Sequence, residues 1–186
     1  LSPSFTLSII MEIYETRFPQ YVSSLMSSAG NDINLNERVL DSVHCAALRF
    51  VLEHCNTVKL GLLWTSTPEE ELESFLPLLS RVTQLSVDRL LLLKLLHCCS
   101  SSDLQQEAAD FLLSALHNRL DFSCCSALDL TDTQNRENFK LTEKDCRIIS
   151  SVLQKTRSIV KLILQDCELS DEALKQLWPI LPQVRL

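Results

Sequence analysis

The sequence predicts an α/β fold, a solenoid of stacked strand-and-helix units preceded by a helical lead-in. Three observations predict it. Ile33 and Leu35 precede Leu40, Cys45, Leu48 and Leu52, and Leu162 and Leu164 precede Leu169, Leu174, Leu177 and Leu181 at the same internal spacings. Leu141, Cys146, Ile149 and Leu153 repeat the second half of that pattern. Within each unit the apolar period changes from two to 3.6, which is the change from a strand with one buried face to a helix with one buried stripe. A unit of this kind cannot bury its own apolar face, so copies stack and cover one another.

The elements follow in order. Residues 5 to about 28 carry Ile9, Ile10, Ile13, Tyr14, Val22, Leu25 and Met26 at helical spacing, broken near Pro19. Residues 1–29 are therefore read as the lead-in, and residues 30–186 as about five irregular repeats, the last one truncated. Short strands are expected at Asp32–Leu35, Thr57–Leu62, Val82–Val87, Cys125–Leu130 and Ile159–Leu164, with Leu60, Leu85, Leu128 and Leu162 as inward residues of the later units. Thr67-Pro68-Glu69-Glu70 and Ser102-Asp103-Leu104-Gln105 read as helix starts, and Thr142 and Ser170 as caps for helices running to about Thr156 and Leu181. The long unit before Leu128 holds two helices, Leu90 to about Cys98 and Asp103 to about Asn118, and a polar loop spans Gln134 to Lys140. The first residue is leucine and a further strand begins at Val184–Leu186, so the stretch reads as a piece of a longer protein.

Composition narrows the function. With 186 residues, 46% of them apolar, the chain can bury a substantial core. Two glycines leave no material for a glycine-rich phosphate loop. A net charge of -7 without a local basic cluster in the sequence argues against nucleic acid. The longest apolar run, Leu90 to Leu96, is short and carries Lys94, so no membrane span is expected. Of the eight cysteines, Cys45, Cys146 and Cys167 sit at positions where other units carry leucine or threonine, and most of the eight read as small buried hydrophobes in a reducing, cytoplasmic setting. His44-Cys45, His54-Cys55 and His97-Cys98-Cys99 lack the spacing of a zinc site, and no base is placed beside a thiol, so neither metal, cofactor nor catalysis is expected.

The run Ile159-Val160-Lys161-Leu162-Ile163-Leu164-Gln165-Asp166-Cys167-Glu168-Leu169, followed by a helix, resembles the ribonuclease-inhibitor class of leucine-rich repeat, L-x-x-L-x-L-x-x-N/C-x-L. Leu62-Leu63-Trp64-Thr65, the segment Leu85 to Leu96, Ser126-Ala127-Leu128-Asp129-Leu130 and Leu177-Trp178-Pro179-Ile180-Leu181-Pro182 are similar to the repeat region of large NOD-like immune receptors of fish. The departures are Arg38 and Thr133, which stand where that class has asparagine or cysteine. The resemblance implies a leucine-rich repeat solenoid, an irregular horseshoe with short parallel strands on the concave face and helices on the convex face. It also implies the ligand-sensing or autoinhibitory region of an intracellular innate immune receptor, with a protein partner or sister domains of the same receptor as its ligands. The alternative is a scaffold or self-association module unrelated to immunity, pairing through its open strand end.

In such a fold the outward side chains of the strands meet the partner. The register places Asp32, Glu37, Asp88, Asp129, Asp132 and Asp166 against Lys59, Arg89 and Lys161, which predicts an acidic wall. Leu63, Trp64 and Ile163 also fall outward and would serve either as apolar anchors or as packing beneath a neighbouring element. Lys59, Leu63, Trp64, Asp88, Asp129, Lys161, Ile163 and Gln165 are the candidate partner-binding residues.

Overall fold

The lead-in folds as two helices because its apolar residues share a stripe and its breaks are chemically marked. In the computed structural model, which describes residues 1–103, 105–123 and 139–186, α1 runs Pro3–Thr16 and α2 Gln20–Ala29. The Ser2 hydroxyl accepts the Phe5 amide and Pro3 occupies the first turn, where an amide would have no partner. Arg17 and Gly30 close the two helices in the left-handed region. Ile10, Ile13, Val22, Leu25 and Met26 are buried, and α1 lies against α3 (Ser42–His54).

Alternation of polar and apolar residues then produces short parallel strands. β1 (Asp32–Asn34), β2 (Val58–Leu62) and β3 (Val82–Val87) form one sheet in that order. β4 (Arg119–Asp121), β6 (Val160–Ile163) and β8 (Val184–Arg185) form a second, and β5 (Phe139–Lys140) pairs with β7 (Cys167–Glu168). Ile33, Leu60 and Leu85 are register partners, as are Leu120 and Leu162, and all five are buried. Helices connect the strands: α3, α4 (Glu69–Leu72) continuing as a 3₁₀ helix over Glu73–Arg81, α5 (Arg89–Ser101), α6 (Gln105–Ala115), α7 (Glu143–Gln154) and α8 (Asp171–Lys175). The chain is thus a mixed α/β protein with parallel strands in small sheets and one continuous apolar core between strands and helices.

Three backbone features recur with the units. The fourth residue beyond the inward strand position is left-handed at Glu37, Trp64 and Asp166, with φ of 62°, 52° and 61°. The next residue reaches back one strand: the Thr65 hydroxyl donates to the Leu35 carbonyl at 2.8 Å, and the Cys167 thiol donates to the Phe122 carbonyl at 3.2 Å. One step further the chains pair again, Val39 with Ser66 and Lys140 with Glu168. Each left-handed residue turns the chain off the strand, and each side-chain bond satisfies a carbonyl that the bend would otherwise strand.

Several expectations need correction. The inward partner of Leu162 is Leu120, where a helix end was expected; the strand expected at Cys125–Leu130 lies outside the described residues. Leu112, Leu116 and Leu120 recur every four residues, so the helical period runs on into the strand, and His117 and Asn118 break it with φ of 55° each. Phe139 and Lys140, read as loop, form β5. Thr67 does not cap: α4 starts after Pro68 without a side-chain cap, and the Thr67 hydroxyl is buried without a partner. Pro77 turns the rest of that helix into 3₁₀ geometry, and Pro179 and Pro182 do the same to the segment Trp178–Gln183. Leu174 and Leu181, expected in the core, are exposed, whereas Leu177 and Ile180 are buried. Thr142 and Ser170 do cap α7 and α8.

Candidate interaction face

Because side chains alternate across a strand, burying Ile33, Leu60, Leu85, Leu120 and Leu162 turns their neighbours outward. The resulting row is Asp32, Lys59, Gln84, Arg119, Lys161 and Arg185, and every member is exposed. Its first half is mixed in charge. Its second half is three cations, since Arg119 pairs in register with Lys161 and Lys161 with Arg185. Arg119 also contacts Asp121 at 3.2 Å, while Lys161 and Arg185 make no ion pair among the described residues. The strand row predicted to be acidic thus carries three cations and Asp121 on its second sheet, with Asp166 exposed on the loop after β6; Asp129 and Asp132 lie outside the described residues.

A hydrogen bond runs between the two sheets. A register irregularity between Val58 and Lys59 leaves Thr83 as an extra residue in β3, and its carbonyl accepts a hydrogen bond from His117 Nε2 at 2.8 Å, two residues before β4.

Beyond the row, Ile163 is half-buried in register with Asp121, and Leu63 and Trp64 occupy the loop after β2, also half-buried. None of these three belongs to the buried core cluster. Gln165 is exposed on the loop after β6. Asp88 plays a different part, as the N-cap of α5, with its Oδ1 accepting the Leu91 amide and its Oδ2 the Trp64 amide, both at 2.8 Å. With each oxygen bonded to a backbone amide, Asp88 has a structural role of its own, and Arg89 is the first residue of α5, its guanidinium 4.6 Å above the Phe139 ring. Lys59, Lys161, Ile163 and Gln165 remain on the strand side with Leu63 and Trp64; Asp129 lies outside the described residues.

No family model, curated protein or solved structure matches the chain.

Burial pushes the Cys45 and Cys146 thiols up to about 11 and Cys99 up to about 12, so these sulfurs stay protonated at neutral pH. His97 Nε2 sits 2.9 Å from Asp145 Oδ1 and joins α5 to α7. Burial works against the Asp145 charge, but the Thr142 amide, His97 and the Thr142 hydroxyl outweigh it and hold the carboxyl below its usual range. No group of three metal-ligating side chains occurs among the described residues, and no helix among them is long and apolar enough to cross a membrane. An open depression of about 390 Å³ lies between α1 and the β1–α3 loop, lined by Ser4, Leu7, Ser8, Met11, Arg38 and His44.

Arg119 and Arg185 were missed as face residues, although the sequence signalled the first of them. Arg119-Leu120-Asp121-Phe122 alternates as Lys161-Leu162-Ile163-Leu164 does, and Asn118 and Asn31 each stand two residues before an inward residue, Leu120 and Ile33. Asn31 and Asn118 are both left-handed.

Proposed function

We propose that this chain is a non-enzymatic protein-interaction and regulatory module built as a leucine-rich repeat solenoid of the ribonuclease-inhibitor class. The observation that carries the reading is the recurrence, in two separate units, of a left-handed turn followed by a side chain bonded back to the preceding strand, Thr65 to Leu35 and Cys167 to Phe122. Such a stack makes a stiff wall whose outward residues are free to meet a partner, and the row from Asp32 to Arg185 is that wall here. By its resemblance to NOD-like receptor repeats, the module senses a ligand or holds sister domains closed, in the cytoplasm.

The test uses the natural polypeptide. Paired substitutions Lys59→Glu and Trp64→Asp on the wall should abolish association with its partner or, if the contact is internal, raise basal nucleotide exchange of the adjoining module, with an unchanged melting temperature. A gene that encodes no nucleotide-binding module beside this stretch removes the receptor reading and leaves the binding module. Self-association is a second reading, favoured by the exposed Leu174, Trp178 and Leu181 of the last unit. Sedimentation equilibrium that finds only monomer at high concentration eliminates it.

A further inference from the structure

The three cations of the second sheet form a regular array on an acidic protein. The chain holds 24 acidic and 17 basic residues, yet Arg119, Lys161 and Arg185 stand side by side on adjacent parallel strands, exposed and pointing the same way. Like charges directly opposite one another on neighbouring strands repel. Only Asp121, through its contact with Arg119, offsets that repulsion among the described residues. A ligand that brings matching negative charge relieves that repulsion.

The spacing identifies the ligand's form. Neighbouring strands lie about 4.8 Å apart, so the cations run in a line about 10 Å long perpendicular to the strands. An extended peptide shows side chains on one side about every 6.7 Å, which drifts out of step. A helix shows residues i, i+4 and i+7 along one side, each about 5–6 Å from the next, close to the strand spacing. Above Lys161 on the same strand stands half-buried Ile163, an apolar neighbour for one flank of such a helix. The net charge of -7 disfavours a long polyanion, whose charge extends past the patch, more than it disfavours a few carboxylates confined to it.

We propose that the row Arg119, Lys161 and Arg185 docks an acidic α-helix of a protein partner, laid across the strands with carboxylates at i, i+4 and i+7 over the cations and an apolar side chain against Ile163. This rests on the reading of the wall as a protein-binding face and adds the chemistry of what it binds. Charge pairing sets the approach and register, and Ile163 supplies the desolvated contact.

The probe is a fluorescein-labelled alanine-based helical peptide with glutamates at i, i+4 and i+7 and a leucine beside them. An isomer with the glutamates spread around the helix and a single-stranded oligonucleotide of equal charge serve as comparisons, all read by fluorescence anisotropy at low and raised salt. The patterned peptide should bind at least tenfold more tightly than the isomer. Lys161→Glu should weaken it at least tenfold and Lys161→Arg should retain it, with unchanged far-UV circular dichroism; if Lys161→Glu does not fold, Arg185→Gln at the sheet edge replaces it. Equal binding of the two peptides, indifference to these substitutions, or tighter binding of the oligonucleotide would overturn the proposal. If neither peptide binds while Trp64→Asp and Ile163→Asp abolish partner association in the natural polypeptide, the acidic helix is refuted and the binding face stands. If partner association ignores those substitutions as well, the face itself is refuted.

Discussion

Replacing Asp88 tests whether the wall is held in shape by side chains that look, from the sequence, like ligands for a partner. The carboxylate joins two units: Oδ1 caps α5 through the Leu91 amide, and Oδ2 holds the amide of Trp64, which is itself in the left-handed region at φ 52°. Losing an N-cap costs about 1 kcal/mol. Losing a hydrogen bond to a charged acceptor costs about 1.5–3 kcal/mol. Asp88→Ala should therefore lose about 3 kcal/mol, a large part of the 5–15 kcal/mol or so that a domain has in total. For a chain of this size that is a fall in Tm of about 6–12 °C. Asp88→Ser keeps the cap but has one short oxygen in place of two, so it should recover about 1 kcal/mol and leave the Trp64 amide free. Equilibrium urea unfolding followed by circular dichroism gives the energies, and hydrogen exchange at the Trp64 amide locates the loss. An Asp88→Ala protein within about 0.5 kcal/mol of the parent, the usual range for a plain surface substitution, would refute the reasoning. So would a serine variant in which the Trp64 amide stays protected.

Leu120→Ala should destabilise by about 2–5 kcal/mol in the same unfolding assay, because Leu120 is fully buried on the strand beside Leu162; a surface-like effect would contradict that register. Thr65→Val should cost about 1–2 kcal/mol while keeping the side-chain shape, since it leaves the Leu35 carbonyl without the Thr65 hydroxyl; a neutral result would mean that this link between strands carries no weight. Lys161→Glu should raise stability by about 0.5 kcal/mol, by placing an acid between Arg119 and Arg185, and a fall in Tm would show that the row is not strained by its own charge. Stability in reducing buffer should hold below pH 9 and decline from there toward about 11 to 12. The folded state keeps the Cys45, Cys146 and Cys99 thiols protonated over that interval while the unfolded chain ionises them, and a flat pH profile there would contradict the burial of these sulfurs.

The strand-and-helix alternation was legible because burial imposes it directly on residue choice. Ile33, Leu60, Leu85 and Leu162 announce an inward face, and Cys45, Leu48 and Leu52 a helical stripe, and all are buried. The strand at Leu120 was overlooked because its spacing from Leu112 and Leu116 also suits a helix, and the left-handed His117 and Asn118 break that period. The capping role of Asp88 was hidden because an acid that faces a partner and an acid that caps a helix satisfy the same polar position. The difference lies in which amides come within reach, and the Trp64 amide comes from another unit. The sign of the wall was likewise hidden, because Arg119 and Arg185 join it only once their strands are paired with Lys161.

The junction at Thr83 differs from the seams within each sheet. Within each sheet, parting two strands breaks a run of peptide hydrogen bonds. Between β3 and β4, among the described residues, it releases the imidazole of His117 from one carbonyl, and Nε2 keeps a proton to donate there in the charged ring as well as in one neutral tautomer. On the opposite side α6 stays packed against the 3₁₀ segment Glu73–Arg81, and α5 against α7. Behind the strands the core runs on without a break, so His117 is the side chain that, among the described residues, carries a hydrogen bond from the start of β4 to β3 while the helices hold both sheets on one core.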